Sequence, residues 1–212
     1  IMLAGLILLM RQRHGIDPHR PTLVHIGRVA HEKNIGFILE VVARVKRTLP
    51  DILLIVAGEG PARRSLQRRC RELGLDDNCL FLGYFSRGQD LWDCYASGDA
   101  FVFASNTETQ GLVLLEAMAL GTPVISTAIL GTRDILAAQR GCMIAETDVA
   151  DFSDKVIRLL LQPALRQRLS AEAREYVHDW STVTMSRRMA EFYARIVQQE
   201  GAATTATPAA GR

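Results

Sequence analysis

The chain lacks a strong charge of either sign: its 25 Lys and Arg stand against 23 Asp and Glu, leaving +2 over 212 residues. So mild a balance argues against nucleic acid as a partner, which calls for a basic stripe or patch. The four cysteines, Cys70, Cys79, Cys94 and Cys142, are scattered. No CxxC and no His at ligand spacing goes with them, so they read as reduced packing residues in a cytosolic chain, and no metal site is expected. There is no P-loop, no GxGxxG, no serine elbow, no Cys/His dyad and no internal repeat. Nor is there a run long enough to span a membrane. The one strongly hydrophobic stretch, IMLAGLILLM from Ile1 to Met10, is about half the length that a membrane helix needs. It also lacks the basic start and small-residue cleavage site of a signal peptide. It reads foremost as an end that packs on something outside this sequence, with a membrane-associated end or a cloning artefact as alternatives.

What is present is apolar and regularly punctuated. Hydrophobic residues make up 48% of the chain, ample for the core of one domain or of one lobe of a larger α/β protein. Short apolar runs alternate with helical patterns: TLVHIG, DILLIVAGEG, CLFLGY, DAFVFAS, TPVIST and GCMIA read as strands. Between the first five lie NIGFILEVVARVKRTL, PARRSLQRRCRELGL, GQDLWDCYASG and GLVLLEAMALG, which read as helices. After Asp148 the pattern is helical to the end of the domain, and GAATTATPAAGR (Gly201 to Arg212) reads as a disordered tail. Strands alternating with helices predict an α/β fold, a Rossmann-like three-layer domain with a parallel sheet and a helical C-terminal end. The expected boundaries are an N-terminal segment 1–21, a domain 22–200 and the tail 201–212. Ligands of such folds sit at the carboxyl ends of the strands. There this chain collects Gly27-Arg28, Gly58-Glu59-Gly60, Gly83-Tyr84 and Ser105 to Gly111.

Four stretches at that edge carry chemistry. In ETQGLVLLE two glutamates, Glu108 and Glu116, bracket a turn and four aliphatics. The turn exposes the N–H groups of Gln110, Gly111 and Leu112 at a helix start, which suits a phosphate. Glu116 suits a ribose diol, and Glu108 a sugar hydroxyl. The bland alternative is an acid favoured by the helix dipole and a solvated helix residue, yet Glu116 sits among apolar neighbours and calls for a partner. In GRVAHEKN, Arg28 and Lys33 near a helix start run against the dipole and make sense if an anion sits there. The alternative is a pair of solvated cations, and His25 reads as a satisfied core histidine. In GEGP the glycines could admit a ligand closely, though GEG alone is weak. The arginines of the following helix, Arg63 to Arg71, resemble a basic patch. The apolar stripe Leu66, Cys70 and Leu73 makes them more simply its solvated outer face. In FLGYFSRGQDL, backbone at Leu82 and Gly83 and the ring of Tyr84 could border a nucleobase, or form an ordinary loop.

GRVAHEKN, AGEGP, LGY and ASNTETQGLVLLEAMALGTPVI, in this order, resemble the donor-binding half of retaining GT-B glycosyltransferases of family 4. That family's signature, Glu, seven residues, Glu, matches Glu108 and Glu116. The resemblance runs from about His14 to Val197. It implies that Gly27, Arg28 and Lys33 surround and hold the donor diphosphate, and that Glu108 orients the donor sugar, these last three side chains forming the catalytic set. It further implies backbone contacts from Gln110, Gly111 and Leu112, a ribose on Glu116, and a base beside Leu82, Gly83 and Tyr84. The implied reaction transfers a sugar from a nucleoside diphosphate sugar, a UDP-sugar foremost, with retained configuration and without a cofactor or an essential metal.

Two departures bear on this. Many members carry an aromatic residue where Gln110 stands, and TETQGLV resembles a subgroup that includes diacylglycerol glucosyltransferases, so a lipid acceptor is implied. The amino-terminal acceptor lobe of the family is absent from this sequence and is the expected partner; the last helix resembles the one that packs on it. The alternatives are a nucleotide-sugar-binding remnant without activity of its own and, less favoured, an epimerase or phosphorylase lobe. The expected location is the cytoplasm, with a peripheral position at the inner face of the membrane as the alternative.

Overall fold

Each of the apolar runs forms a strand because its residues are β-branched, aromatic or aliphatic and can be buried on both faces of a sheet. A computed structural model of the chain describes residues 10–205. The strands are β1 (Thr22–Ile26), β2 (Leu53–Ala57), β3 (Cys79–Leu82), β4 (Ala100–Phe103), β5 (Val124–Ser126) and β6 (Cys142–Ile144). They form one six-stranded sheet in the order β3-β2-β1-β4-β5-β6, every pair parallel. β1 is central, with Leu23 opposite Leu54 of β2 and Ala100 of β4. Leu23, Val24, Leu54, Ile55, Val56, Phe101 and Val102 are all fully buried, each stabilising the fold by about 1.5–3 kcal/mol.

Between and after the strands lie α1 (Ile35–Val45), α2 (Arg63–Glu72), α3 (Gln89–Ala96), α4 (Leu112–Ala119), α5 (Gly131–Leu136), α6 (Val149–Leu161) and α7 (Pro163–Tyr176). α1 packs on α2 and α6, where Phe37 meets Phe152 edge to face at 5.7 Å. α4 packs on α3, α5 and α7. The start of α6 is set by Asp148, whose carboxylate accepts the Asp151 N–H at 2.8 Å. α5 corresponds to nothing in the sequence reading. The basic residues of α2 do form an outer face: Arg63 pairs with Glu59, and Arg69 with Glu40 and Glu72. The cysteines are free thiols, and Cys70, Cys94 and Cys142 are buried.

The chain divides into two compact units, one up to Tyr176 and one from Val177. The second holds a 3-10 turn (Val177–Trp180) and α8 (Thr182–Thr205), on which Val183, Met189, Phe192, Tyr193 and Val197 are exposed. The helix therefore runs into the stretch expected to be a disordered tail; 206–212 lie outside the described residues, as do 1–9 of the hydrophobic start. No helix of the described residues is long and apolar enough to cross a membrane.

The strand order reverses between β1 and β4, because β2 and β3 are laid to one side and β5 and β6 to the other. At such a switch point the connections leave in opposite directions and open a crevice at the carboxyl edge. His25, one residue before the end of β1, is fully buried beneath it and stacks on Phe103 at 5.7 Å. It is a core histidine as expected, but only half satisfied. Nδ1 lies 3.1 Å from the Val102 carbonyl, whereas Nε2 has no partner among the described residues.

Candidate functional site

The floor of the crevice is backbone. Past β1 and β2 the two chain segments run against each other: Gly27 N–H donates to the Ala57 carbonyl at 3.0 Å and Val29 N–H to the Glu59 carbonyl at 2.9 Å. A Cβ on Gly58 would lie 1.9 Å from the Gly27 oxygen, and one on Gly60 2.2 Å from the Val29 oxygen. The glycines of GEG are thus needed for the two loops to touch. Gly83 is part of the same arrangement, since its carbonyl accepts the Gly58 N–H at 3.1 Å. Leu82 is buried at the end of β3, and Tyr84, next in line after Gly83, is 74% exposed.

The turn before α4 is built around Glu108. Lys33 donates to its Oε2 at 3.0 Å, and the N–H groups of Gly111 and Gln110 donate to Oε1 at 3.1 and 3.4 Å. Burial raises the Glu108 pKa, but these donors outweigh it and hold the carboxyl below its usual range. Gly111 caps the helix at φ +69°, a left-handed conformation suited to glycine. Gly131, at the start of α5, donates to the Glu108 carbonyl at 3.0 Å, so the unforeseen α5 supports this turn. Two of the expected groups are already engaged here. The N–H groups of Gln110 and Gly111 are not open but held by Glu108, and those left at the helix start are Leu112 and Val113, with no acceptor among the described residues. Lys33 already has its anion in Glu108. Arg28 is the more open cation, with its side chain 66% exposed and Glu32 at 3.6 Å.

Between these elements lies a cavity of about 500 Å³. Ile26, Gly27 and Arg28 line it from β1, Ala57, Gly58 and Glu59 from β2, and Leu112, Val113 and Glu116 from α4. Its remaining wall is Tyr84, Phe85, Arg87, Leu91 and Tyr95, from the loop after β3 and from α3. Of the expected site residues, Gly27, Arg28, Tyr84, Leu112 and Glu116 line the cavity. Lys33, Glu108, Gln110 and Gly111 form the bonded group at the start of α4, and Leu82 and Gly83 are not part of the cavity lining. Glu116 has the partner that its apolar neighbours called for: the Tyr95 hydroxyl donates to Oε2 at 2.6 Å, and Arg87 lies 3.7 Å from Oε1. Sequence reasoning missed Tyr95, Arg87 and Phe85 as wall residues, and placed Glu59 only at the carboxyl edge. The apolar setting of Glu116 signalled that a partner exists, not which one.

The cavity offers a carboxylate held by a phenol, a cation, free helix-start N–H groups and an apolar wall. A parallel sheet of this strand order with such a cavity at its switch point defines a Rossmann-like domain whose cavity lies where folds of this class take their ligands. The family profile described as "Glycosyl transferases group 1" matches residues 8–176, and the chain belongs to that family. It is 33% identical over 186 residues to sulfoquinovosyl transferase SQD2 of Arabidopsis thaliana, covering 85% of this chain and 35% of that protein. Over 117 residues it is 36% identical to alpha-monoglucosyldiacylglycerol synthase of Streptococcus pneumoniae, covering 55% and 26%. Among solved structures, HepE of Anabaena, crystallised with UDP and glucose, superposes with a TM-score of 0.78 at 18% identity, covering 90% of this chain and 52% of that one. The chain thus spans about a quarter to a third of the two curated relatives.

Proposed function

We propose that the domain binds a nucleoside diphosphate sugar, a UDP-sugar foremost, and presents its sugar for transfer to an acceptor with retained configuration. The observation that carries this reading is Glu116: a carboxylate on an otherwise apolar helix, anchored by a buried phenol, on the wall of a cavity that also holds a cation and a helix start. A ribose diol donating to Glu116 would run its diphosphate toward Leu112, Val113 and Arg28, and its base toward Tyr84 and Phe85. The sugar beyond the diphosphate would meet Glu108, with Lys33 beside it. Charge builds up on the leaving diphosphate as the glycosidic bond breaks, and donors fixed before the reaction stabilise it most effectively. Lys33, Arg28 and the helix start fit that task. UDP is the first choice because the HepE structure holds it on the same fold.

The acceptor side falls to a second lobe, which in this reading closes over the sugar and excludes water. A lipid acceptor at the inner face of the membrane is supported by TETQG and by the likeness to alpha-monoglucosyldiacylglycerol synthase. The test is a thermal-shift series with UDP, GDP and ADP, each at millimolar concentration. UDP is expected to raise the melting temperature most, by mass action on the folded state. No shift with any nucleoside diphosphate would overturn the reading.

A further inference from the structure

Glu116 sits within α4, and a glutamate side chain on a helix has several rotamers open to it. A diol is best met by a carboxylate held in one of them. Here the two oxygens face different donors. Oε2 accepts from Tyr95 at 2.6 Å, and Tyr95 is 2% exposed. Oε1 faces Arg87 at 3.7 Å, and the Arg87 side chain is 84% exposed. The tyrosine is the fixed member of this pair. Its ring packs on Phe101 of β4 at 5.5 Å, and its carbonyl accepts the Thr122 hydroxyl at 2.9 Å. α3 is thereby tied both to the sheet and to the segment that follows α4. Burial, and then the adjoining carboxylate, push the phenol far above its ordinary pKa, so it stays protonated and donates. One lone pair of Oε2 is thus taken from behind, and the carboxylate is held against the cavity wall.

We infer that Tyr95 is a positioning residue for nucleotide recognition: it holds the Glu116 carboxylate in the orientation that accepts both hydroxyls of a ribose, and so sets a preference for ribonucleotides over their deoxy counterparts. The inference rests on the reading of the cavity as a nucleoside diphosphate sugar site. It assigns selectivity to a residue that touches the carboxylate rather than the sugar.

The test is calorimetric titration of the full chain with UDP and with 2′,3′-dideoxy-UDP. Tyr95→Phe keeps the ring in its packing and removes only the hydroxyl. Affinity for UDP is expected to fall about five- to tenfold, the effect of one hydrogen bond, with less than about a twofold change for the dideoxy analogue. In a Glu116→Gln background the same substitution should add little, because its effect runs through that carboxylate. Glu116→Asp, which draws the carboxylate away from the phenol without removing its charge, should lose the preference as well, and it covers the case in which Tyr95→Phe does not fold. Equal weakening of both ligands by Tyr95→Phe, no weakening of either, or a full preference retained by Glu116→Asp would overturn the role of Tyr95. If the unsubstituted chain binds UDP and the dideoxy analogue alike, or binds neither, the ribose reading of the cavity fails, and the inference with it.

Discussion

At the scale of single residues, His25 makes the interior of this domain sensitive to acid. Burial pushes its pKa down from the ordinary 6.5 to about 4, the Val102 carbonyl opposes the shift, and Lys33 adds to it. The folded state therefore binds fewer protons than the unfolded chain between those values. Stability should fall as the pH drops through that window, by roughly 3 kcal/mol at its lower end. Glu108, also depressed, acts in the same direction at lower pH: its contribution is present above the usual carboxyl range and is lost as the pH falls below about 4.5. Urea midpoints from pH 7 to pH 5, above the range in which Glu108 titrates, should decline for the chain as it is and stay nearly flat for His25→Val, whatever that variant's absolute stability. A decline of equal slope in the variant would assign the acid sensitivity elsewhere. His25 was legible as a core residue because it interrupts an apolar strand, but its unpaired Nε2 was not, since pairing depends on which strands become neighbours. The same holds for Glu116 and Tyr95. Their contact joins α3 to α4 and leaves no periodic mark in the sequence.

At the scale of elements, strand and helix alternation was legible because it is written in local periodicity, and every strand read from the sequence is present. α5 was not, because Gly131–Leu136 is too short to show a helical period. The GEG stretch was legible as a place needing glycine, but its packing reason was not. Gly58 has φ +138°, and any side chain there would meet the Gly27 carbonyl, a backbone atom that cannot move aside without parting β1 from β2. Gly58→Ala should therefore cost roughly 2–4 kcal/mol, combining backbone strain with overpacking. Denaturant unfolding measures this directly. A loss below about 0.5 kcal/mol would mean that the two loops are not held together as tightly as the geometry requires.

At the scale of the whole molecule, the cavity draws its walls from both sides of the switch point: the ends of β1 and β2, the loop after β3, α3 and α4. The carboxyl-edge position of the cavity was legible, because glycines and charges collect where the strands end. The sorting of its members was not, because Lys33 and Glu108, far apart in sequence, are joined by a bridge only after folding. That bridge places Glu108 beside the start of α4 and leaves Glu116 on the cavity wall, so the two glutamates should answer to different parts of one ligand. Titration calorimetry of UDP and a UDP-sugar against the chain, Glu116→Gln and Glu108→Gln tests this division most directly. Glu116→Gln is expected to weaken both ligands alike, by about 1.5–3 kcal/mol for a lost charged hydrogen bond, since both carry the ribose. Glu108→Gln is expected to weaken the UDP-sugar by a similar amount and UDP much less. Equal losses of both ligands in both variants would contradict it.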